Sequence, residues 1–157
     1  SIFFDGDNLY CGGKGIVNFS TNKGKSWIPL NNIGRLTFDN IFGIIINDDK
    51  IFVGTINGLY TSSDNGKNWK LDSINGQVSV IWDMKKRNND LFFISGGNLY
   101  LSKDNGKSFI QLTDNTYTAL QKLEVDMENI YAGGSGFIDQ PNFIMSKDNG
   151  KSWNVVP

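Results

Sequence analysis

Hydrophobic and polar residues alternate along this chain in short runs, each bounded by glycine, asparagine or aspartate. Leu9, Tyr10 and Cys11, the run Ile41 to Ile46, and the stretch Ile51 to Gly54 are too short for helices and have the lengths of strands. In the stretch around residue 50, one strand is expected at Ile41 to Ile46, a second at Ile51 to Gly54, a third at Gly58 to Ser62 and a fourth from Asn68 to Leu71. Gly12 to Gly15, Gly54 to Gly58, Ser95 to Gly97 and Gly133 to Pro141 are expected as turns between second and third strands. The class this pattern predicts is all-β.

Composition agrees. The 157 residues hold 18 glycines and only two glutamates, Glu124 and Glu128, a poor recipe for helix. Eleven Phe, five Tyr and four Trp supply enough apolar area for a packed core. At this length the chain reads as one domain or a piece of one. No apolar run approaches the ~18 residues that a membrane span requires.

The pattern also repeats. Four segments begin at Ser20, Ser62, Ser102 and Ser146, and read Ser-Thr-Asn-Lys-Gly-Lys-Ser-Trp, Ser-Ser-Asp-Asn-Gly-Lys-Asn-Trp, Ser-Lys-Asp-Asn-Gly-Lys-Ser-Phe and Ser-Lys-Asp-Asn-Gly-Lys-Ser-Trp. Their serines stand 42, 40 and 44 residues apart, the size of a four-stranded propeller blade. Leu9, Ile51 and Leu91 each precede their serine by eleven residues, whereas Ile130 precedes Ser146 by sixteen. Five residues are thus inserted in the fourth repeat, most simply within Gly136 to Pro141. The blades are expected at about 1–32, 33–73, 74–114 and 115–157.

Each boxed turn has a legible chemistry. Asp64, Asp104 and Asp148, with Asn22 in the first copy, are placed to accept hydrogen bonds from the amides of the turn that follows. Gly24, Gly66, Gly106 and Gly150 stand where the chain needs a positive φ. Trp27, Trp69, Phe109 and Trp153 are expected to fold over the turn and bury their rings between sheets.

These residues resemble the Asp box, or BNR repeat, Ser-x-Asp-x-Gly-x-Thr/Ser-Trp, of sialidases, xyloglucanase-type glycoside hydrolases, sortilin-type receptors and photosystem II assembly factors. The chain departs from that pattern at Asn22, Asn68 and Phe109. The resemblance implies a β-propeller of four visible blades, with the box at the outer rim and remote from any ligand. It implies no single activity, because Asp boxes serve unrelated functions.

Residue counts narrow the choice. There is no histidine, which removes Ser-His-Asp, Cys-His and histidine-based zinc chemistry. Cys11 is the sole cysteine and reads as a small apolar residue. The resemblance to sialidases implies three arginines around a substrate carboxylate, and this chain has two, Arg35 and Arg87. A xyloglucanase-like site would need two cleft aspartates, for which Asp39, Asp72 and Asp114 are available, though such residues are more often turn formers. The net charge of −1 argues against nucleic acid. Lys85, Lys86 and Arg87 form a basic run, expected in a solvated turn between first and second strands. Asp48 with Asp49, and Asp5 with Asp7, read as tight hairpins rather than as a calcium site, and neither metal nor cofactor is expected.

The resulting expectation is a non-catalytic binding or scaffold module that recognises a glycan or a protein by one loop face, in a cell-surface, virion or other extracellular setting rather than the cytoplasm. Arg35, Tyr117, Phe137, Asp139 and Gln140 are the expected ligand-facing residues. The alternatives are part of a glycoside hydrolase completed by residues outside these 157, and an assembly factor similar to the photosystem II propellers. The blades are expected to form a piece of a longer propeller, a closed four-bladed ring or half of a dimeric ring.

Overall fold

The computed structural model describes residues 1–5, 7–13, 16–30, 40–114, 119–135 and 143–156. Among these residues the structure is strand and turn, with no helix. Sixteen strands form four antiparallel sheets of four, each in simple sequence order. The first sheet contains β1 (Ile2–Asp5), β2 (Asn8–Gly12), β3 (Val17–Ser20) and β4 (Ile28–Leu30); the second contains β5 (Ile41–Asn47), β6 (Lys50–Thr55), β7 (Gly58–Ser62) and β8 (Lys70–Asp72). The third contains β9 (Ile81–Arg87), β10 (Asp90–Ser95), β11 (Asn98–Ser102) and β12 (Ile110–Gln111); the fourth contains β13 (Leu120–Val125), β14 (Ile130–Gly134), β15 (Phe143–Ser146) and β16 (Asn154–Val155). The chain divides into two compact units, Ser1–Ile81 and Trp82–Pro157.

Turn chemistry explains the meander. Asn47 pairs with Lys50, so Asp48 and Asp49 alone make the turn, and Asp48 adopts φ 51°. Asp and Asn tolerate this left-handed conformation better than other residues with side chains, and Asn88 does the same in the third sheet at φ 55°. The second strands of the second and third sheets are buried along almost their whole length. In β6, Ile51, Phe52 and Val53 are all buried, as are Leu91, Phe92, Phe93 and Ile94 in β10.

Each unit has its own core. In the first, Tyr10 and Val17 of the first sheet meet Ile44, Ile46, Ile51 and Val53 of the second. In the second, Phe92, Leu99 and Leu101 meet Leu123, Ile130, Ala132 and Ile144.

Three expectations are corrected. The fourth strand of the second repeat starts at Lys70, not Asn68, because the Asn68 amide and side chain both turn back to Asp64. Trp27 is 42% exposed, whereas Trp69, Phe109 and Trp153 are half-buried. The difference lies in what each ring reaches. The Trp153 indole donates to Leu112 O at 3.0 Å, on the preceding sheet, and Trp69 packs on the first unit's core, whereas Trp27 leans on Gly24 of its own turn.

The third correction concerns Lys85, Lys86 and Arg87, which lie within β9 rather than in a turn; the turn is Asn88–Asn89. Lys85 and Arg87 are engaged rather than freely solvated. Lys85 Nζ pairs with Glu124 at 2.9 Å. The Arg87 guanidinium donates to Asn149 Oδ1 at 2.8 Å and to Asp126 O at 3.3 Å, and lies 5.1 Å from the Phe92 ring centroid.

Candidate functional site

Connectivity gives each sheet two chemically distinct ends. The hairpins from first to second strand and the boxed turns from third to fourth strand share one end. The turns from second to third strand and the segments leading to the next sheet share the other.

At the box end, four nearly identical hydrogen-bond sets recur. In the fourth copy Ser146 Oγ donates to Asp148 Oδ1 at 2.8 Å and accepts from the Gly150 amide at 2.8 Å. Asp148 Oδ1 also accepts from the Ser152 amide at 2.9 Å, and Oδ2 accepts from the Ser152 hydroxyl at 2.6 Å. Asp104 is bound in the same way by Ser102 and Ser108, and Asp64 by Ser62 and by both the amide and the side chain of Asn68. In the first copy the pattern survives with one reversal: Asn22 Oδ1 accepts from the Ser26 amide at 2.9 Å, but Asn22 Nδ2 donates to Ser26 Oγ at 2.8 Å. The Gly24, Gly66, Gly106 and Gly150 φ angles are 81°, 79°, 76° and 83°. Each is preceded by a second left-handed residue, Lys23, Asn65, Asn105 or Asn149.

This end is poorly suited to acid–base chemistry. The Asn68 amide and side chain together with the Ser62 hydroxyl hold the Asp64 carboxyl down at about 2, and the hydroxyl and amide of Ser152 with the Ser146 hydroxyl hold Asp148 at about 2. Asp104 is lowered further, chiefly by Ser108. These groups stay ionised and fully occupied at neutral pH, so they neither donate nor receive a proton during turnover.

Among the described aspartates suggested for a cleft pair, Asp72 is also engaged. It accepts from Thr61 Oγ1 at 2.7 Å and pairs with Lys70. Burial works against its charged form, but the bonds from Lys70 and Thr61 prevail and its pKa is lowered. Asp114 is exposed, and Asp39 lies outside the described residues.

Asp83, in the first strand of the third sheet, is the described carboxyl whose pKa is raised, and burial is the main cause. Its Oδ1 accepts from the Met84 amide at 2.8 Å and its Oδ2 from the Leu123 amide at 3.1 Å, so it fastens β9 to β13. The signal in the sequence was a carboxylate inside the apolar stretch Ile81-Trp82-Asp83-Met84. A groove of about 520 Å³ runs past it, lined by Lys85, Lys122, Glu124, Tyr131 and Phe143.

The opposite end is less regular. Arg35, Tyr117, Phe137, Asp139 and Gln140, together with the inserted segment, lie outside the described residues. What is described there in the first unit is an apolar cluster that the sequence reading missed. Gly58 follows the turn Ile56–Asn57, and a Cβ placed on it would lie 2.9 Å from Leu71 Cδ1 and 3.0 Å from Val78 Cγ1. Ile56, Leu71 and Val78 are all exposed. The turn is held by the Thr55 hydroxyl, which donates to Gly58 O at 3.0 Å and accepts from the Asn57 amide at 3.1 Å. Val78 follows a second tight turn, in which Ile74 and Gln77 exchange backbone bonds around Asn75-Gly76, both left-handed. Val78 in the otherwise polar stretch Asn75–Ser79 was the available signal, visible only once Gly58 opened space beside it.

Comparison with known proteins fits this architecture. The BNR/Asp-box repeat family model matches residues 60–71, which span the second box. The sequence matches none of the curated proteins. Among solved structures, YCF48 bound to D1 peptide superposes with a TM-score of 0.74 at 14% identity, covering 97% of this chain and 52% of that one. YCF48 from Cyanidioschyzon merolae gives 0.71 at 16%, covering 98% and 54%. An ancestral GH74 enzyme gives 0.77 at 19%, covering 99% and 23%.

The fold is that of an Asp-box β-propeller. The chain spans about half the length of the YCF48 structures and about a quarter of the GH74 enzyme. These neighbours include an enzyme and a peptide-bound protein, so fold alone selects neither activity.

Proposed function

We propose that the chain is a non-catalytic binding module that takes a protein segment, presented as an extended or looped peptide with an apolar anchor, at the sheet end opposite the Asp boxes. The observation that carries this reading is a set of exposed apolar residues at this end: Ile56 in one hydrogen-bonded turn, Val78 after another, and Leu71 of β8 beside Val78 at Gly58. Apolar side chains fixed on tight turns bind without a large ordering cost, and covering each fully is worth about 1.5 to 3 kcal/mol. The binding of a peptide by a YCF48 propeller of similar fold supports a peptide over a glycan. The engaged carboxylates of the box end support binding over hydrolysis. Arg35, Tyr117, Phe137, Asp139 and Gln140, which lie outside the described residues, are proposed from the sequence alone as further ligand contacts.

The test is selection of peptides from a random displayed library against the 157-residue chain, followed by calorimetry with the enriched sequence. The reading expects apolar-anchored peptides whose affinity falls at least tenfold in the Ile56→Asp, Val78→Asp double variant. Failure to enrich any peptide, or equal affinity in the double variant, would overturn it, as would release of reducing ends from a xyloglucan oligosaccharide by the purified chain.

A further inference from the structure

Each compact unit contains a seam between its two sheets, and the repeat matches the two seams residue for residue. In the second unit a cation bridges the seam at the box end. The Arg87 guanidinium of the third sheet lies 5.1 Å from the Phe92 ring centroid, and it donates to Asn149 Oδ1 at 2.8 Å and to Asp126 O at 3.3 Å on the fourth sheet. An aromatic ring, a box asparagine and a hairpin carbonyl hold it. Such a set suits guanidinium, which is planar and weakly hydrated, and which stacks on a ring while its edge donates hydrogen bonds.

The first unit keeps the ring and the asparagine but changes the residue that supplies the cation. Tyr10 pairs with Phe19 as Phe92 pairs with Leu101, so Tyr10 takes the place of Phe92. Asn65 follows its box serine by three residues, as Asn149 does. Asp5, however, stands three residues before Asn8, where Arg87 stands three before Asp90. In the second sheet a lysine serves the equivalent ring: Lys50 Nζ lies 4.8 Å from the Phe52 centroid. The first sheet has Asn8 at the position of Lys50. Neither route therefore brings a cation to Tyr10.

A pocket of about 350 Å³ opens at this place, within the first unit and between its two sheets. Tyr10, fixed by stacking on Phe19 at 4.8 Å, lies on one side of it, and Asn65, Asp48 and Asp49 lie on the other. No lysine or arginine is among its described lining residues. Asp48 stands where the fourth-sheet hairpin has Met127, so a carboxylate replaces a thioether. Asp48 and Asp49 are exposed, and among the described residues neither is in an ion pair.

We infer that this pocket binds a guanidinium cation, supplied as the arginine side chain of a partner polypeptide. The guanidinium stacks on Tyr10, donates to the Asn65 amide oxygen and meets Asp48 and Asp49 at the mouth. It braces the first seam as Arg87 braces the second, which places it with the upkeep of the box end. The pocket shares no residue with the Ile56, Leu71 and Val78 set, so either reading can fail without the other.

Titration of the 157-residue chain with acetyl-Gly-Arg-Gly-amide, followed by amide chemical shifts, tests it without any substitution. The expected result is movement of Asp48, Asp49 and Asn65 with Ile56 and Val78 silent, weaker binding of the matching lysine peptide, and none of the norleucine peptide. The Asp48→Asn, Asp49→Asn double variant should lose affinity at least tenfold. Asp5→Arg places a cation at the position of Arg87, so it should raise the urea midpoint and abolish the response to the peptide. Silence of Asn65 in the unmodified chain, or an Asp5→Arg chain that binds the peptide undiminished, would overturn the proposal. Agmatine bound more tightly than the arginine peptide would overturn the polypeptide source.

Discussion

The two ends of each sheet are built on different principles. At the box end a serine hydroxyl, a carboxylate or amide, a positive-φ glycine and an aromatic ring repeat four times with hydrogen bonds that agree to within a few tenths of an ångström. At the other end the connections differ from sheet to sheet: a two-residue turn at Ile56–Asn57, a glycine pair at Gly96–Gly97, and a segment five residues longer in the fourth repeat. Repetition with the box serine and its carboxylate or amide engaged in every copy marks an end that maintains shape. Variation with exposed apolar residues marks an end free to acquire a ligand.

Substitutions separate the two kinds of constraint. The largest expected effect is at Gly134, where a Cβ would lie 1.9 Å from the backbone oxygen of Ala119, an atom that cannot swing aside. Gly134→Ala should destabilise the chain by about 3 kcal/mol or more, comparable with overpacking a core, or prevent folding, as read by urea denaturation.

Gly150→Ala comes next. The φ of 83° costs a residue with a side chain about 1 to 2 kcal/mol, and the new Cβ also crowds Leu112. Asp148→Ala should lower the urea midpoint by a smaller amount, because it leaves the Ser152 amide and two hydroxyls without their acceptor. Asp148→Asn should cost less than Asp148→Ala, because Asn22 fills the same place in the first box once Ser26 accepts where Ser152 donates.

Acid sharpens the comparison further. Asp64 and Asp148 have folded pKa values of about 2, below the ordinary 3.8, so the stability they contribute is complete above about pH 4 and is lost as pH falls through about 2. Asp83 acts with the opposite sign: its raised value favours the protonated folded form, so acidification through that value adds stability. Urea midpoints measured from pH 5 to pH 2 should fall, and the Asp64→Asn, Asp148→Asn double variant should flatten that fall. The smallest stability effect belongs to the exposed apolar residues of the connection end, whose backbone close approach at Gly134 is by contrast structural. Ile56→Asp with Val78→Asp should move stability by no more than about 0.5 kcal/mol per site, as surface changes do, while abolishing peptide binding.

The same contrast explains what could be read from the sequence. The boxes were legible because their geometry is local: eight residues supply their own donors, acceptors, glycine and ring. Ile41 to Ile46 and Gly58 to Ser62 were likewise legible as strands, since alternation and flanking turn residues define them. Apart from the start of β8, where Asn68 turns back to Asp64 of its own box, the errors arose where a residue's environment comes from a distant segment. Lys85 and Arg87 resembled a solvated turn in sequence, yet their partners, Glu124, Asp126 and Asn149, lie 39 to 62 residues away. Trp27 carries the same motif as Trp153, but it is 42% exposed, and among the described residues nothing equivalent to Leu112 lies against its box. The Ile56, Leu71 and Val78 cluster joins three separate segments through the space left by Gly58, and no local pattern announces it.

The central claim is that ligand recognition and structural upkeep occupy opposite ends of the sheets. Amide chemical-shift mapping of the isotopically labelled chain, titrated with a peptide enriched from the library, tests it most directly. The account predicts that the perturbed amides cluster at Ile56, Asn57, Leu71 and Gln77 to Ser79, with Asp64 to Trp69 and the other boxes unmoved. Perturbations centred on the boxed turns, with the Ile56 and Val78 amides silent, would contradict it.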